Sequence, residues 1–273
     1  MILLHGFPAG WRSWTHQIPA LASAGFSVLA PDLRGYNGSD RPAARSAYHL
    51  KHLVADVVAL VRATGYARAH IVGHDWGGII GWAFAGAHPE LLDRLVIVNA
   101  PHVDIYLRHI RRPSRQWLRS WYALLFRIPH LSEWVVSAGD FHALRSMFRR
   151  AGQAAFSDED VDTLIDALAQ PGALTAALNW YRANAAPDAV RLARSARTGA
   201  PTLVIWGERD PALGVELLDG LDHVAPLVRI HRIARAGHWV QNEAADEVNR
   251  VMIDFLLDRS ANHADRWRGS ASP

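Results

Sequence analysis

The run Ile71-Val72-Gly73-His74-Asp75-Trp76-Gly77-Gly78 leaves a β-branched apolar stretch, turns through small residues, and enters a helical pattern near Ile79. This is the strand–turn–helix layout of a nucleophile elbow, usually written G-x-S-x-G. Its glycines, two before and two after the nucleophile, clear space for a sharp turn. Here the central position is Asp75, not a serine. A serine needs a base before it can attack, whereas an aspartate is already anionic at neutral pH. A carboxylate nucleophile suits displacement at saturated carbon, because its product is an ester that water can later cleave.

Three further motifs supply what such chemistry needs. His5-Gly6-Phe7-Pro8 follows the first apolar run, and a tight turn there can aim a backbone N–H at the elbow. With the amide of Trp76, the amide of Phe7 would make a two-donor oxyanion hole. Trp206-Gly207-Glu208-Arg209-Asp210 and Ala236-Gly237-His238-Trp239 each follow an apolar run. Asp210 would hold the His238 ring in its useful tautomer, and His238 would serve as general base. Each has a duller reading: one of 15 histidines for His238, a helix N-cap before Pro211 for Asp210, a turn former for Asp75. Glu208 competes with Asp210 for the acid role, but Asp210 stands just past the turn.

The elements that must position these groups alternate. Short apolar runs at 1–4, 26–30, 70–73, 95–99, 202–206 and 227–233 read as strands. Helical patterns occupy 14–24, 50–64, the stretch from the elbow to 87, and 244–257. Such alternation predicts an α/β fold, a mostly parallel sheet flanked by helices. Residues 102–198 break it: no buried strand is evident, tryptophan and arginine abound, and Gly139, Gly152 and Pro171-Gly172 divide short helices. This insertion reads as an all-helical lid over the carboxyl ends of the strands, where open α/β sheets bind ligands. The expected organisation is a core of 1–101 and 199–259, a lid of 102–198, and a flexible tail of 260–273.

Composition narrows the chemistry. There is no cysteine, so thiol catalysis, disulfides and thiolate metal sites are excluded. The net charge is only +3, and the basic residues between Arg108 and Arg150 read as a solvated lid surface, not a nucleic-acid patch. No apolar run has the length of a membrane span, and Met1-Ile2-Leu3-Leu4 leads into His5 without a signal-peptide pattern. A cytoplasmic protein, monomer or homodimer, is expected.

Taken together, HGFP, the segment from Pro31 to Pro42 (PDLRGYNGSDRP), GHDWGG, WGERD and GHWVQNE resemble the epoxide hydrolase branch of the α/β-hydrolase superfamily, from His5 to about Leu257. That branch uses an aspartate nucleophile and includes the haloalkane dehalogenases. The resemblance implies an α/β-hydrolase fold, a small apolar epoxide and water as reactants, and no metal or organic cofactor. It also implies two lid tyrosines that bind and protonate the epoxide oxygen. Ser120-Trp121-Tyr122-Ala123-Leu124-Leu125-Phe126 resembles the first tyrosine motif and Asn179-Trp180-Tyr181-Arg182 the second, pointing to Tyr122 and Tyr181. Trp121, Phe126, Trp180 and Trp239 are then expected around an apolar pocket. A haloalkane or haloacid dehalogenase with the same Asp-His-Asp set is the alternative, and a non-catalytic binding scaffold the lesser one. A halide leaves as a weak base and needs only N–H donors, whereas an epoxide opens to an alkoxide that should be protonated as it forms. Relatives usually carry about two dozen residues before HGFP, a first strand and an antiparallel second. Their apparent absence points to a misassigned start or a truncation, and would leave 26–30 as a sheet edge.

Overall fold

Five of the apolar runs pair into one wholly parallel sheet in the order β1-β2-β3-β4-β5. The strands are β1 (Ile2–Leu4), β2 (Ala69–His74), β3 (Leu92–Val98), β4 (Thr202–Gly207) and β5 (Val228–Ile233). The computed structural model describes residues 1–111, 114–153, 155–186 and 190–258; the tail expected at 260–273 lies outside the described residues. Successive strand side chains point to opposite faces, so the sheet divides two cores. Leu4, Ile71, Leu95, Ile97, Val204 and Trp206 belong to one. Leu3, Val72, Val96, Val98, Leu203 and Ile205 belong to the other. The central strands are buried on both faces, which explains why they read as continuous apolar runs and not as alternating ones.

Helix α1 (Gln17–Ser23) and the C-terminal helix Ala245–Leu256 cover one face; α2 (Leu50–Ala63) and α3 (Trp76–Ala87) cover the other. Two expectations are corrected here. The run 26–30 is not a strand but a single parallel bridge, Ile2 to Leu29, closed by Leu3 N–H on the Leu29 carbonyl (2.8 Å) and Leu29 N–H on the Met1 carbonyl (3.0 Å). β1 is three residues long and offers too few groups for a longer ladder. The helix expected over 14–24 starts only at Gln17, behind a separate 3₁₀ turn at Trp11–Trp14.

Between β3 and β4 the described residues form only helices: α4 (Val103–Ile110), α5 (Arg115–Arg119), α6 (Trp121–Leu125), α7 (Leu131–Ala151), α8 (Asp158–Ala169), α9 (Ala173–Ala183) and α10 (Arg191–Arg194). The glycines do divide them. α7 is kinked over Ala138–Phe141 with Gly139 at φ 58°, and Gly172 opens α9 at φ 76°. Ser157 and Asp160 form a reciprocal capping box that fixes the start of α8. The lid is seated on the core by polar contacts. The Trp180 indole N–H donates to the Arg34 carbonyl (3.0 Å), and Asn184 accepts from Leu50 N–H (2.8 Å) while donating to the Tyr48 carbonyl (2.9 Å). Within the lid, buried Arg182 is held by Glu133 (2.7 Å), Ser132 Oγ (2.6 Å) and the Phe126 carbonyl (3.1 Å). Every strand from β2 to β5 ends toward the same side, so the segments after His74, Val98, Gly207 and Ile233 meet beneath these helices.

Candidate active site

The turn after β2 is tight because three glycines let backbone pass where a side chain could not. A Cβ on Gly73 would lie 2.3 Å from the Gly77 carbonyl oxygen, and one on Gly77 would lie 2.1 Å from that of Leu4. Asp75 sits between them at φ 51°, ψ −121°, a conformation that costs a non-glycine residue roughly 1–3 kcal/mol. The strain is offset by the packing of α3, which starts at Trp76, three residues before the sequence expectation. The turn presents the Asp75 carboxylate to the amides of both Phe7 and Trp76, with Phe7 N–H donating to Oδ1 at 2.8 Å. Burial raises the Asp75 pKa, opposed by the charge of His238 and by those two amides. The two N–H groups expected to form an oxyanion hole therefore converge on one carboxyl group.

His238 follows β5 and turns its ring between two carboxylates. Nδ1 lies 2.7 Å from Asp210 Oδ2, and Nε2 lies 3.8 Å from Asp75 Oδ2. Asp210 is buried and fully engaged: Oδ1 accepts from the amides of Ala212 (2.7 Å) and Leu213 (2.9 Å), and Oδ2 from Asn99 Nδ2 (2.8 Å). Burial alone would raise its carboxyl, but the His238 charge and these donors outweigh it and hold the group below the ordinary range. Burial likewise opposes charge on His238, yet Asp210 first, then Asp75 and Glu243, lift its pKa to about 9. The resting ring is thus an imidazolium between two anions. Glu208, the rival acid, points away and pairs with Arg232 at 2.8 Å.

Several supporting residues were assigned no role from the sequence. Asn99, fully buried at the end of β3, accepts from Gly207 N–H (2.8 Å) while donating to Asp210, and so fixes the acid to the sheet. His74 packs its ring 4.8 Å from that of His238, with Nε2 2.9 Å from the His238 carbonyl oxygen; burial lowers its pKa to about 3, so it stays neutral and donates. Glu243 accepts from the amides of Gly237 (2.6 Å) and Trp239 (3.1 Å), on either side of His238. Gln116, on α5, donates to the Ala212 carbonyl (2.8 Å) and accepts from Gly214 N–H (2.9 Å), tying the lid to the Asp210 loop. Glu243 stands within GHWVQNE and His74 within GHDWGG, beside the reacting residues; Asn99 and Gln116 act across the fold.

A cavity of about 440 Å³ opens above Asp75, and Trp76, Tyr122 and Tyr181 share its wall. The Tyr181 ring meets those of Trp76 (5.2 Å) and Phe7 (5.6 Å) edge to face, and lies 6.4 Å from Tyr122. Burial first, then the Asp75 charge and neighbouring phenols, push both hydroxyls well above the usual tyrosine pKa, so both keep their protons. Tyr106 also lines the cavity, but its hydroxyl donates to Ser120 Oγ at 2.9 Å. The expected aromatic lining needs correction. Trp121 is 64 % exposed on the outside of the lid, and Trp180 is buried between Tyr36 and Trp76. Trp239 packs on Phe148 and Phe156, and Phe126 stands behind Tyr122 and Tyr181. None of the four lines this cavity; Ile79, Pro101, Val103, Leu107 and Leu213 do. Trp180 and Trp239 are consumed by the core because a large apolar ring is best placed where it is covered on both faces. No group of three or more His, Cys, Asp or Glu that could hold a metal occurs among the described residues.

Comparison with known proteins finds relatives of the same fold. A family model described as alpha/beta hydrolase fold matches residues 1–245. Epoxide hydrolase 4 of Mus musculus is 35% identical over 95% of this chain and 73% of its own length. AB hydrolase superfamily protein YfhM of Bacillus subtilis (strain 168) is 34% identical over 95% of this chain and 90% of its own. The crystal structure of a Bacillus megaterium epoxide hydrolase in complex with an inhibitor superposes with a TM-score of 0.86 at 32% identity, covering 94% of this chain and 93% of that one.

Proposed function

The chain belongs to the alpha/beta hydrolase fold family, and from that premise we propose that it is an epoxide hydrolase, converting a small apolar epoxide to a vicinal diol. The observation that carries the reading is the cavity that Asp75 shares with Tyr122 and Tyr181. A carboxylate faces phenols that keep their protons, which is the pairing ring opening requires. The Asp75 carboxylate attacks one ring carbon from the side opposite the C–O bond. That bond breaks, and the oxygen takes the electron pair and a proton from Tyr122 or Tyr181, leaving a hydroxyalkyl ester on Asp75.

Ester formation removes the Asp75 charge, one of the sources that keep His238 protonated. The ring then gives up its proton more readily, and that proton restores the tyrosine hydroxyl spent in ring opening, so that His238 is a free base at the stage where one is needed. Held by Asp210, His238 takes a proton from water, and the water oxygen attacks the ester carbonyl. The amides of Phe7 and Trp76, already directed at the carboxyl group, bind the oxyanion until it collapses; the departing alkoxide takes the proton held by His238, the regenerated Asp75 carboxyl gives its own proton back to that ring, and the diol leaves. A dehalogenase would have no use for two half-buried phenols at this point.

Single turnover in oxygen-18 water tests the scheme. The label should enter the Asp75 carboxylate, while the first diol carries an unlabelled enzyme oxygen. Label appearing directly in the first-turnover diol, with none in the Asp75 peptide, would refute the ester route.

A further inference from the structure

The outer side of the lid departs from the solvated surface that its arginines predict. Trp117, Leu118, Trp121, Leu124 and Ile128 are exposed, Trp121 and Leu118 at 64 % and 65 %. Backbone bonds of i→i−3 and i→i−4 type run from Leu118 to Ile128, so the intervals from Trp117 to Trp121, Leu124 and Ile128 put these side chains on one stripe. Gln116, just before the stripe, and Ser120 and Phe126 within it are buried. The segment is amphipathic with its apolar side turned to solvent, a large contiguous patch of the kind that marks an interaction surface.

Within the segment that carries this stripe the charge has one sign. No Asp or Glu stands between Asp104 and Glu133. Those two flanking acids are occupied, Asp104 by Arg108 and Arg194, Glu133 by Arg182. Arg111, Arg115 and Arg127 are exposed and meet no carboxylate among the described residues. Arg111, Trp117, Leu124 and Arg127 also line the cavity that contains Asp75, so the patch surrounds its mouth.

We propose that this face of the lid docks reversibly on an anionic lipid surface. Tryptophan and leucine side chains would sit at the acyl boundary and arginines on headgroup phosphates, the distribution seen in interfacial amphipathic helices. A second copy of the chain fits less well. A two-fold interface would set these arginines against the same arginines, with no carboxylate in the segment to answer them. A nucleic acid would satisfy the arginines but leave Leu118, Leu124 and Ile128 without apolar partners. Docking would place the cavity mouth against a phase in which apolar epoxides accumulate; that consequence, unlike the docking itself, rests on the hydrolase reading.

Flotation of the full chain with vesicles tests it. Binding is expected to vesicles of equal parts phosphatidylglycerol and phosphatidylcholine, and about tenfold weaker binding to phosphatidylcholine alone. Leu118→Ser with Ile128→Ser, and separately Arg115→Glu, should each weaken anionic-vesicle binding about tenfold. Both variants should leave turnover of a water-soluble epoxide in vesicle-free buffer unchanged. If the apolar double variant misfolds, Arg115→Glu still decides. Absence of wild-type binding, a dimer in sedimentation that Leu118→Ser/Ile128→Ser dissolves, or tighter binding to an oligonucleotide than to vesicles would each overturn the proposal. Vesicle binding without epoxide turnover would sink the hydrolase reading and leave docking intact.

Discussion

Replacing Asp210 by Asn isolates what the His238–Asp210 pair contributes. His238 moves from an ordinary 6.5 to about 9 in the fold, which at about 1.4 kcal/mol per pH unit is roughly 3 kcal/mol of preference for the charged ring. Burial works against that preference, and Asp210 is the first of the groups that overcome it, ahead of Asp75 and Glu243. With a neutral amide at 210 the burial cost stays and the largest compensation goes, so the ring should titrate near or below 6.5. Because the folded pKa is raised, the associated stability is present in full below about pH 6.5 and is lost as pH climbs through about 9. Wild-type protein should therefore lose stability over that interval, and Asp210→Asn should lose little. An Asn amide can also donate to Nδ1, forcing the remaining ring proton onto Nε2, where it blocks proton uptake from water. Ester hydrolysis should fall by about 10³–10⁴-fold, the scale seen when the orienting carboxylate of such a pair is neutralised, while ester formation continues and the intermediate accumulates. The assays are imidazole nitrogen NMR against pH and rapid-quench mass spectrometry of the Asp75 peptide. A ring that still titrates near 9 in the variant would refute the reasoning, because Asp75 or Glu243 would then be holding the charge.

Tyr181→Phe and Tyr122→Phe should each slow ring opening by about 10²-fold or more, by removing a proton donor. Burst kinetics should place that loss on ester formation, with hydrolysis of preformed ester unchanged. Gly77→Ala should destabilise the chain by several kcal/mol or abolish soluble expression, since its Cβ would meet the Leu4 carbonyl oxygen at 2.1 Å; this is roughly the overpacking range or above. A thermal melt within about 2 °C of wild type would show that the elbow can relax.

The reacting groups were legible because each sits in a local motif just after a strand, and the turn geometry that exposes it is written into adjacent glycines. Asp75, Asp210 and His238 fall within reach of one another for that reason. Asn99 and Gln116 were not legible, since an asparagine ending a strand or a glutamine on a lid helix takes its meaning from a partner about a hundred residues away; His74 stands inside the elbow motif, but its contact with the His238 carbonyl is made only by the fold. Tryptophan misled in the other direction. Its composition in the lid speaks for apolar contact, but only the fold decides whether that contact is core, cavity wall or outer surface; Trp180, Trp239 and Trp121 show that none of them faces the cavity. The run 26–30 failed as a strand because apolar periodicity identifies a buried side, not the length of ladder available to pair with.

The seating of the lid, through Trp180 on the Arg34 carbonyl and Asn184 between Tyr48 and Leu50, divides labour between two parts of the molecule. Everything that would cleave the ester belongs to loops of the sheet, whereas both phenols that would open the ring arrive with the inserted helices. Divergence in those helices can therefore retune which oxirane is accepted, and at which carbon, while the release machinery is inherited untouched.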